Sequence, residues 1–377
     1  MLSRLQQLRT AMEKERFDGL FISLLANITY LTGFSGFSTE DRDAFLLITK
    51  TKQYIFTHGI YEEVVQKKVK DFTFIKMQRE NPIAESLQKL ITKHTINKLG
   101  FEAFDLTVAE YTRLTNHLNK EMLHPINLIG ELRSVKDAKE ITAIQKACAL
   151  GDKAYSHILK KIRMNMTEKE LATELEFFIK RHGADISFPP TIAFGANASD
   201  IHHLPDTTKL EQNSPVLLDF GVKLNDYCSD MTRTIFFGKA TKKQKEVYET
   251  VLNAQQTAIK ELKQQLNNRT MKQSQSISTQ SIDHVARQYI IDKGFPSMPH
   301  SLGHGIGLEV HESPRITIIS QEVLQEGNVF SIEPGIYLPA GQPASPDNFG
   351  VRIEDLFAIR NGELTQLTRS PKKFLEI

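Results

Sequence analysis

The chain has no tryptophan and only two cysteines, Cys148 and Cys228. Two cysteines cannot build a disulfide framework, and such sparing use fits a reducing compartment. No charge sign dominates: 47 Lys and Arg stand against 45 Asp and Glu, a formal net charge of +2. A dedicated nucleic-acid binder usually carries a strong basic bias, so no nucleic-acid partner is expected. Long hydrophobic runs are missing too. The stretch Leu20 to Ala26 is broken by Ser23, far short of the ~20 apolar residues that span a bilayer. Met1 to Arg16 mixes Arg, Glu and Lys with Leu and has no apolar signal core. The expectation is therefore a cytoplasmic protein without a membrane partner.

What is present is enough for a packed core. The chain has 377 residues, 40% hydrophobic and 24% charged, which at ~150 residues per domain suggests two or three domains. No repeat at solenoid periods is found. Apolar residues at helical spacing predict helices over Leu2–Glu15, Tyr61–Val69 and Ala84–His94. Strands are expected at Gly19–Leu24, Ala44–Ile48, Tyr54–Phe56 and Lys98–Phe101. This alternation predicts a layered α/β domain over residues 1–133. A new helical pattern over Asp137–Ile162 places the second domain at 134–377. Thr167 and Glu170 have the spacing of a capping box, and Gly183 sits where that helix should stop. Gln244–Leu262 reads as an amphipathic helix. The polar stretch Asn267–Gln280 reads as an exposed loop or insertion.

Two hairpin patterns in the second half carry acids within apolar strands, where a carboxylate needs a partner. Asp219 interrupts Val216-Leu217-Leu218 and Phe220, and Asp230 lies on the returning strand. A turn centred between Leu224 and Asn225 would set the two directly opposite each other. Glu333 follows Phe330-Ser331-Ile332, and Glu354 follows Val351-Arg352-Ile353. Their midpoint falls in the Gly341–Pro346 stretch, so these acids are opposed as well. Like charges facing each other destabilise a strand pair, and a cation between them removes the conflict. Four carboxylates match two divalent cations in charge, and hard oxygen ligands suit Mn or similar ions.

Histidines cluster in the segment His300-Ser301-Leu302-Gly303-His304-Gly305-Ile306-Gly307-Leu308-Glu309-Val310-His311. Its alternating glycines argue against a helix and for an extended segment with close backbone approach. His202 and His203 lie in the loop before the first Asp strand. Cys228, two residues from Asp230, reads as a small buried residue.

Together, Leu218-Asp219-Phe220-Gly221, Ser229-Asp230-Met231-Thr232-Arg233-Thr234, the His300–Glu312 segment, Ile332-Glu333-Pro334-Gly335 and Arg352-Ile353-Glu354-Asp355 resemble the pita-bread metallopeptidases, specifically the branch of the Xaa-Pro aminopeptidases and prolidases. Residues 1–133 are similar to the creatinase-type domain that precedes this fold. The resemblance implies an α/β N-terminal domain and an α+β pita-bread catalytic domain. It implies a dinuclear site of Asp219, Asp230, His304, Glu333 and Glu354 that activates a water. Mn2+ is the expected ion, with Co2+, Zn2+ and Fe2+ also compatible.

Glu333 would be ligand and general base together. His300 and His311 would orient the substrate and donate hydrogen bonds to the scissile carbonyl oxygen. His202, preferred over His203 because it lies seventeen residues before Asp219, would contact substrate near the scissile bond. Arg352 would buffer the carboxylates. The implied substrates are short proline-containing peptides and the implied assembly is a homodimer, with the N-terminal domain limiting access. The short His311–Ser320 stretch favours an aminopeptidase. A dipeptidase would need a cation for the proline carboxylate, and Arg315 is the candidate. A non-catalytic pita-bread binding module is the alternative of a different class, disfavoured because the full ligand set is present. Without tryptophan, the substrate walls must come from Phe or Tyr.

Overall fold

The computed structural model of the chain describes residues 3–38, 40–78, 83–271, 277–338 and 348–377. It divides into two compact units, Met1–Arg133 and Ser134–Ile377. In the first, six strands form one mixed sheet. Their order is Thr73–Met77, Gln53–His58, Ala44–Thr49, Gly19–Ile22, Leu99–Phe101, Leu123–Pro125. The middle strands are covered on both faces, so they read as continuous apolar runs: Leu46, Leu47 and Ile48 are all fully buried. The helix Ile83–Lys93 buries Ala84, Leu87, Leu90 and Ile91 along one stripe, as the 3.6-residue period requires. Glu102 is buried past the sheet and accepts hydrogen bonds from Ser23 N and Leu24 N, both at 2.7 Å.

The second unit opens with the helix Ala138–Leu159, capped by Asp137, whose Oδ1 accepts from Lys139 N and Glu140 N. It packs on the helix Glu168–Arg181. Thr167 and Glu170 form the expected capping box, and Gly183 takes a φ of 74° just past the end. The strand Ser214–Phe220 runs between Thr191–Phe194 and Met231–Phe237. A five-stranded sheet follows in the order Glu312–Ile316, Gly303–Gly305, Val329–Ile332, Asp355–Arg360, Glu363–Gln366. Gly335–Leu338 and Phe349–Arg352 pair antiparallel as a separate two-stranded sheet. The helices Lys242–Met271 and Thr279–Asp292 pack together, and their apolar stripes, including Val251, Ala258 and Ile282, close on Phe330 and Phe357.

The exposed loop expected over Asn267–Gln280 is corrected. Asn267 to Met271 finish the long helix, Ile277–Ser278 pairs with Val323–Leu324, and Thr279 begins the next helix. Residues 272–276 lie outside the described residues. Gln is a fair helix former, so polarity alone did not mark a loop here. One apolar residue, Ile277, is fully buried and pins the segment. The Gly341–Pro346 stretch lies outside the described residues.

Candidate metal centre

The first hairpin turns on Asn225-Asp226, with φ of 50° and 72°, the left-handed pair a two-residue turn needs. Asp219 therefore stands opposite Thr232, and Met231 opposite Phe220. The direct opposition of Asp219 and Asp230 is corrected. The turn is centred one residue later than expected, and the Asn-Asp dipeptide is the signal for it, because both residues tolerate positive φ. Moving the centre by one residue moves every partner by two. Side chains alternate with period two, so the face is preserved. Asp230, just before the strand Met231–Phe237, still reaches the same cavity as Asp219.

In the second hairpin Ile332 pairs with Asp355 and Gly335 with Arg352, which puts Glu333 and Glu354 opposite each other. Both lie at a break between paired strands. Their backbone amides leave the ladder, Glu333 N donating to Leu302 O at 2.8 Å and Glu354 N to Thr232 O at 3.1 Å. That exchange joins the second hairpin to the strand of Asp230 and to the histidine segment. Gly303 and Gly305 permit the approach: a Cβ there would lie 2.0 Å from Ser331 O and 2.2 Å from Ser313 O.

Asp230, His304 and Glu354 are buried, and each offers a ligand atom within 4.8 Å of the others. His304 Nδ1 lies 3.1 Å from Gly305 O, so the proton is assigned to Nδ1. That leaves the Nε2 lone pair facing Glu333 Oε1 at 3.3 Å and Asp230 Oδ2 at 3.7 Å. Asp219 Oδ1, Asp230 Oδ1 and Glu354 Oε1 are buried with no hydrogen-bond partner. Orphaned carboxylate oxygens are rare in packed interiors because each forfeits its solvation. Their convergence around the His304 imidazole fits a divalent-cation site of hard donors.

The electrostatics agree. Burial, then the charges of Glu354, Asp219 and Glu333, push the Asp230 carboxyl well above the usual range. Burial, then Glu333 and Asp219, do the same to Glu354. Burial also raises Asp219, against the pull of Arg352. Glu333 differs. Burial pushes it up, but its neighbours His304, His300 and Arg352 outweigh that and bring it down to about 2. This cluster keeps its full negative charge only if cations compensate it.

Arg352 is buried and fully committed. Its Nη2 meets Asp219 Oδ2 at 2.5 Å, Nη1 donates to Tyr337 Oη at 2.7 Å, and Nε donates to Thr232 Oγ1 at 3.1 Å. Thr232 in turn donates to Glu354 Oε2 at 2.8 Å. Tyr337 Oη passes its proton towards His300 Nε2 at 2.9 Å, and His300 Nδ1 faces Ser301 O at 2.8 Å. Both ring nitrogens of His300 are engaged within the chain, one with Tyr337 and one with Ser301. Burial lowers its pKa, which favours the neutral ring this chain of bonds requires. His300 anchors Tyr337 and, through it, Arg352.

Tyr337 and Thr232 were not legible as site residues. The only signal for Tyr337 is its period-two spacing from Glu333. His311 packs edge-on against His304, ring centroids 4.5 Å apart. Burial, then the charges of His304 and Arg315, lower its pKa to about 4, so it is neutral near pH 7.

These groups line a cavity of about 420 Å³. All nine expected positions, Asp219, Asp230, His304, Glu333, Glu354, His202, His300, His311 and Arg352, lie on it. Phe188, Pro189, Ile201, Leu204 and Val310 supply apolar walls that sequence reasoning did not single out. Phe188 is the aromatic wall of a chain without tryptophan. Arg315 also lines the cavity.

The fold and this cluster define a metal-dependent hydrolase. Residues 142–361 match metallopeptidase family M24, and residues 4–135 match the creatinase/prolidase N-terminal domain. The chain belongs to metallopeptidase family M24, and its second unit is the pita-bread fold of that family. It is 33% identical over 377 residues to an uncharacterized peptidase of Staphylococcus aureus strain MW2, covering 98% of this chain and 100% of that one. It is 31% identical over 375 residues to the uncharacterized peptidase YqhT of Bacillus subtilis strain 168, covering 99% of each.

Solved structures similar to it include a Xaa-Pro dipeptidase from Bacillus anthracis, with a TM-score of 0.86, 31% identity and 99% of each chain covered. An X-Pro aminopeptidase from Thermotoga maritima MSB8 gives a TM-score of 0.85 at 28% identity, with 100% of each chain covered. No helix among the described residues is long and apolar enough to cross a membrane.

Proposed function

We propose that this chain is an Xaa-Pro exopeptidase, an Xaa-Pro aminopeptidase that removes the N-terminal residue from short proline-containing peptides. The observation that carries this reading is the set of orphaned buried carboxylate oxygens around His304 at the floor of the cavity. Asp219, Asp230, His304, Glu333 and Glu354 would hold two divalent cations, most simply Mn2+. Those cations would supply Lewis-acid activation of a water and of the scissile carbonyl.

The chain's own groups do the rest. Glu333 Oε1 accepts from Ser331 Oγ at 3.1 Å. Its other oxygen is left to take the proton of the attacking water and pass it to the leaving proline nitrogen. His311 and His202 face the cavity and would donate to the carbonyl oxygen as it becomes anionic. Arg352, ion-paired to Asp219, opposes the burial that raises its carboxyl. The walls Phe188, Ile201 and Val310 suit a proline ring.

A second reading, an Xaa-Pro dipeptidase, is favoured by one observation. Arg315 stands directly across from His304 in the strand register, lines the cavity, and its guanidinium makes no ion pair among the described residues. Such a cation suits the carboxylate of a C-terminal proline. The test is hydrolysis of an Xaa-Pro dipeptide against an Xaa-Pro-Yaa tripeptide by chelated enzyme refilled with Mn2+. Release of free Xaa from the tripeptide is expected of an aminopeptidase, and preference for the dipeptide makes it a dipeptidase. Turnover of neither, under several metals, overturns both. The proposed setting is a cytoplasmic homodimer, and a fully active monomer on sizing would sink the dimer.

A further inference from the structure

Glu168, His203 and Asp206 also bring carboxylate and imidazole atoms within 4.8 Å of one another, yet they leave no room for a cation. Glu168 is fully buried, and four donors already meet its two oxygens. Phe194 N at 2.7 Å and Asn197 Nδ2 at 2.9 Å reach Oε1, while His203 Nε2 at 2.6 Å and Asp206 N at 3.0 Å reach Oε2. A carboxylate has about four lone-pair sites, so this one is saturated. All four donors come from a single segment, residues 194–206. The helix start fixes the far end as well, with Lys169 N donating to Asp206 O at 3.1 Å and Glu168 N to Thr208 O at 3.2 Å.

His202 stands inside that segment and lines the cavity. It is exposed, and its ring makes no hydrogen bond among the described residues. A side chain with no partner of its own takes its position from the backbone that carries it. The adjacent His203 is the opposite case: its side chain is 11% exposed and ends on the buried carboxylate. One histidine is turned in and held, which fixes the other turned out.

We propose that His203 and Glu168 are positioning residues, a brace that sets His202 at the reacting end of the cavity. The proposal rests on the substrate contact given to His202 above. The test uses full-length, Mn2+-loaded enzyme and the variants His202→Ala, His203→Ala, His203→Gln and the double alanine variant. Each is assayed for kcat/KM on an Xaa-Pro peptide, metal content and amide exchange over residues 195–206.

His203→Ala is expected to lose roughly 10- to 100-fold in kcat/KM, the scale of a misplacement of about 1 Å, with metal content unchanged and faster exchange in the segment. His203→Gln, which keeps a donor within reach of Glu168, is expected to recover part of the loss. The double variant is expected to match His202→Ala alone, because a residue that acts only through His202 then has nothing left to position.

Wild-type kcat/KM in His203→Ala, or a double variant showing the product of both losses, overturns the brace. Unchanged exchange in His203→Ala also overturns it and leaves the role of His202 standing. Wild-type kcat/KM in His202→Ala removes that role and the proposal with it. If His203→Ala does not fold, His203→Gln carries the same cycle, with the same outcomes deciding it.

Discussion

Replacing Asp230 with asparagine is expected to lower kcat by ~10³-fold or more, since metal-ion catalysis supplies several kcal/mol of transition-state stabilisation. The same substitution is expected to raise the melting temperature of the metal-stripped protein. The sign follows from linkage. The folded-state pKa values of Asp230 and Glu354 are raised by burial and by neighbouring carboxylates. The native state therefore binds protons more tightly than the unfolded chain. In stripped wild type the contribution of these two carboxyls is fully present at low pH and is lost as pH climbs from ~4 through the raised values. The asparagine side chain deletes one of these charges and offers an N–H2 to oxygens such as Glu354 Oε1, which has no partner.

With cations bound, the order should reverse. Wild type gains the binding free energy that the variant forfeits. Each kcal/mol corresponds to about 2–4 °C in a domain of 150–250 residues, so a crossing of a few degrees each way is measurable by calorimetry with and without Mn2+. An Asp230→Asn variant that melts below wild type in the stripped state would mean the carboxylate is a structural acceptor, and the metal reading would fail.

Much of this centre was legible in the sequence because acids inside apolar strands are conspicuous. Glu333 and Glu354 fall into register by simple counting, and the glycines of the histidine segment announced the backbone contacts they make. Legibility ended where position depends on turn chemistry or on partners remote in sequence. Asn225-Asp226 shifted the first hairpin by one residue, and only the period-two parity of strands kept the acids together. That His300 meets Tyr337, 37 residues away, could not be read from the sequence. Asn267–Gln280 looked like a loop because composition does not reveal that one buried isoleucine pins it. Glu168 was not singled out at all, because its four donors come from a segment at least 26 residues downstream.

Arg315→Gln is expected to raise KM for an Xaa-Pro dipeptide by about 10- to 100-fold and to leave an Xaa-Pro-Yaa amide nearly untouched, provided the second reading holds. A hydrogen bond to a charged group contributes about 1.5–3 kcal/mol, and 1.4 kcal/mol is tenfold in affinity. The geometry supports a free clamp. The Arg315 backbone is fixed by its N–H to Glu322 Oε2 at 2.6 Å. In the paired strands Arg315 lies opposite His304, so the two side chains share a face. In a dipeptide the proline carboxylate is one bond from the ring and must come to rest near the metal centre. In a tripeptide the same carbon is an amide without charge, and a guanidinium there gains little. The split between KM and kcat is diagnostic, because a clamp on the ground state and transition state alike moves KM alone. Equal losses on dipeptide and tripeptide would show that Arg315 shapes the cavity rather than reading a terminus, and would return the enzyme to the aminopeptidase reading. A loss of kcat with KM unchanged would instead place Arg315 beside the developing charge on the scissile carbonyl, as a partner of His311.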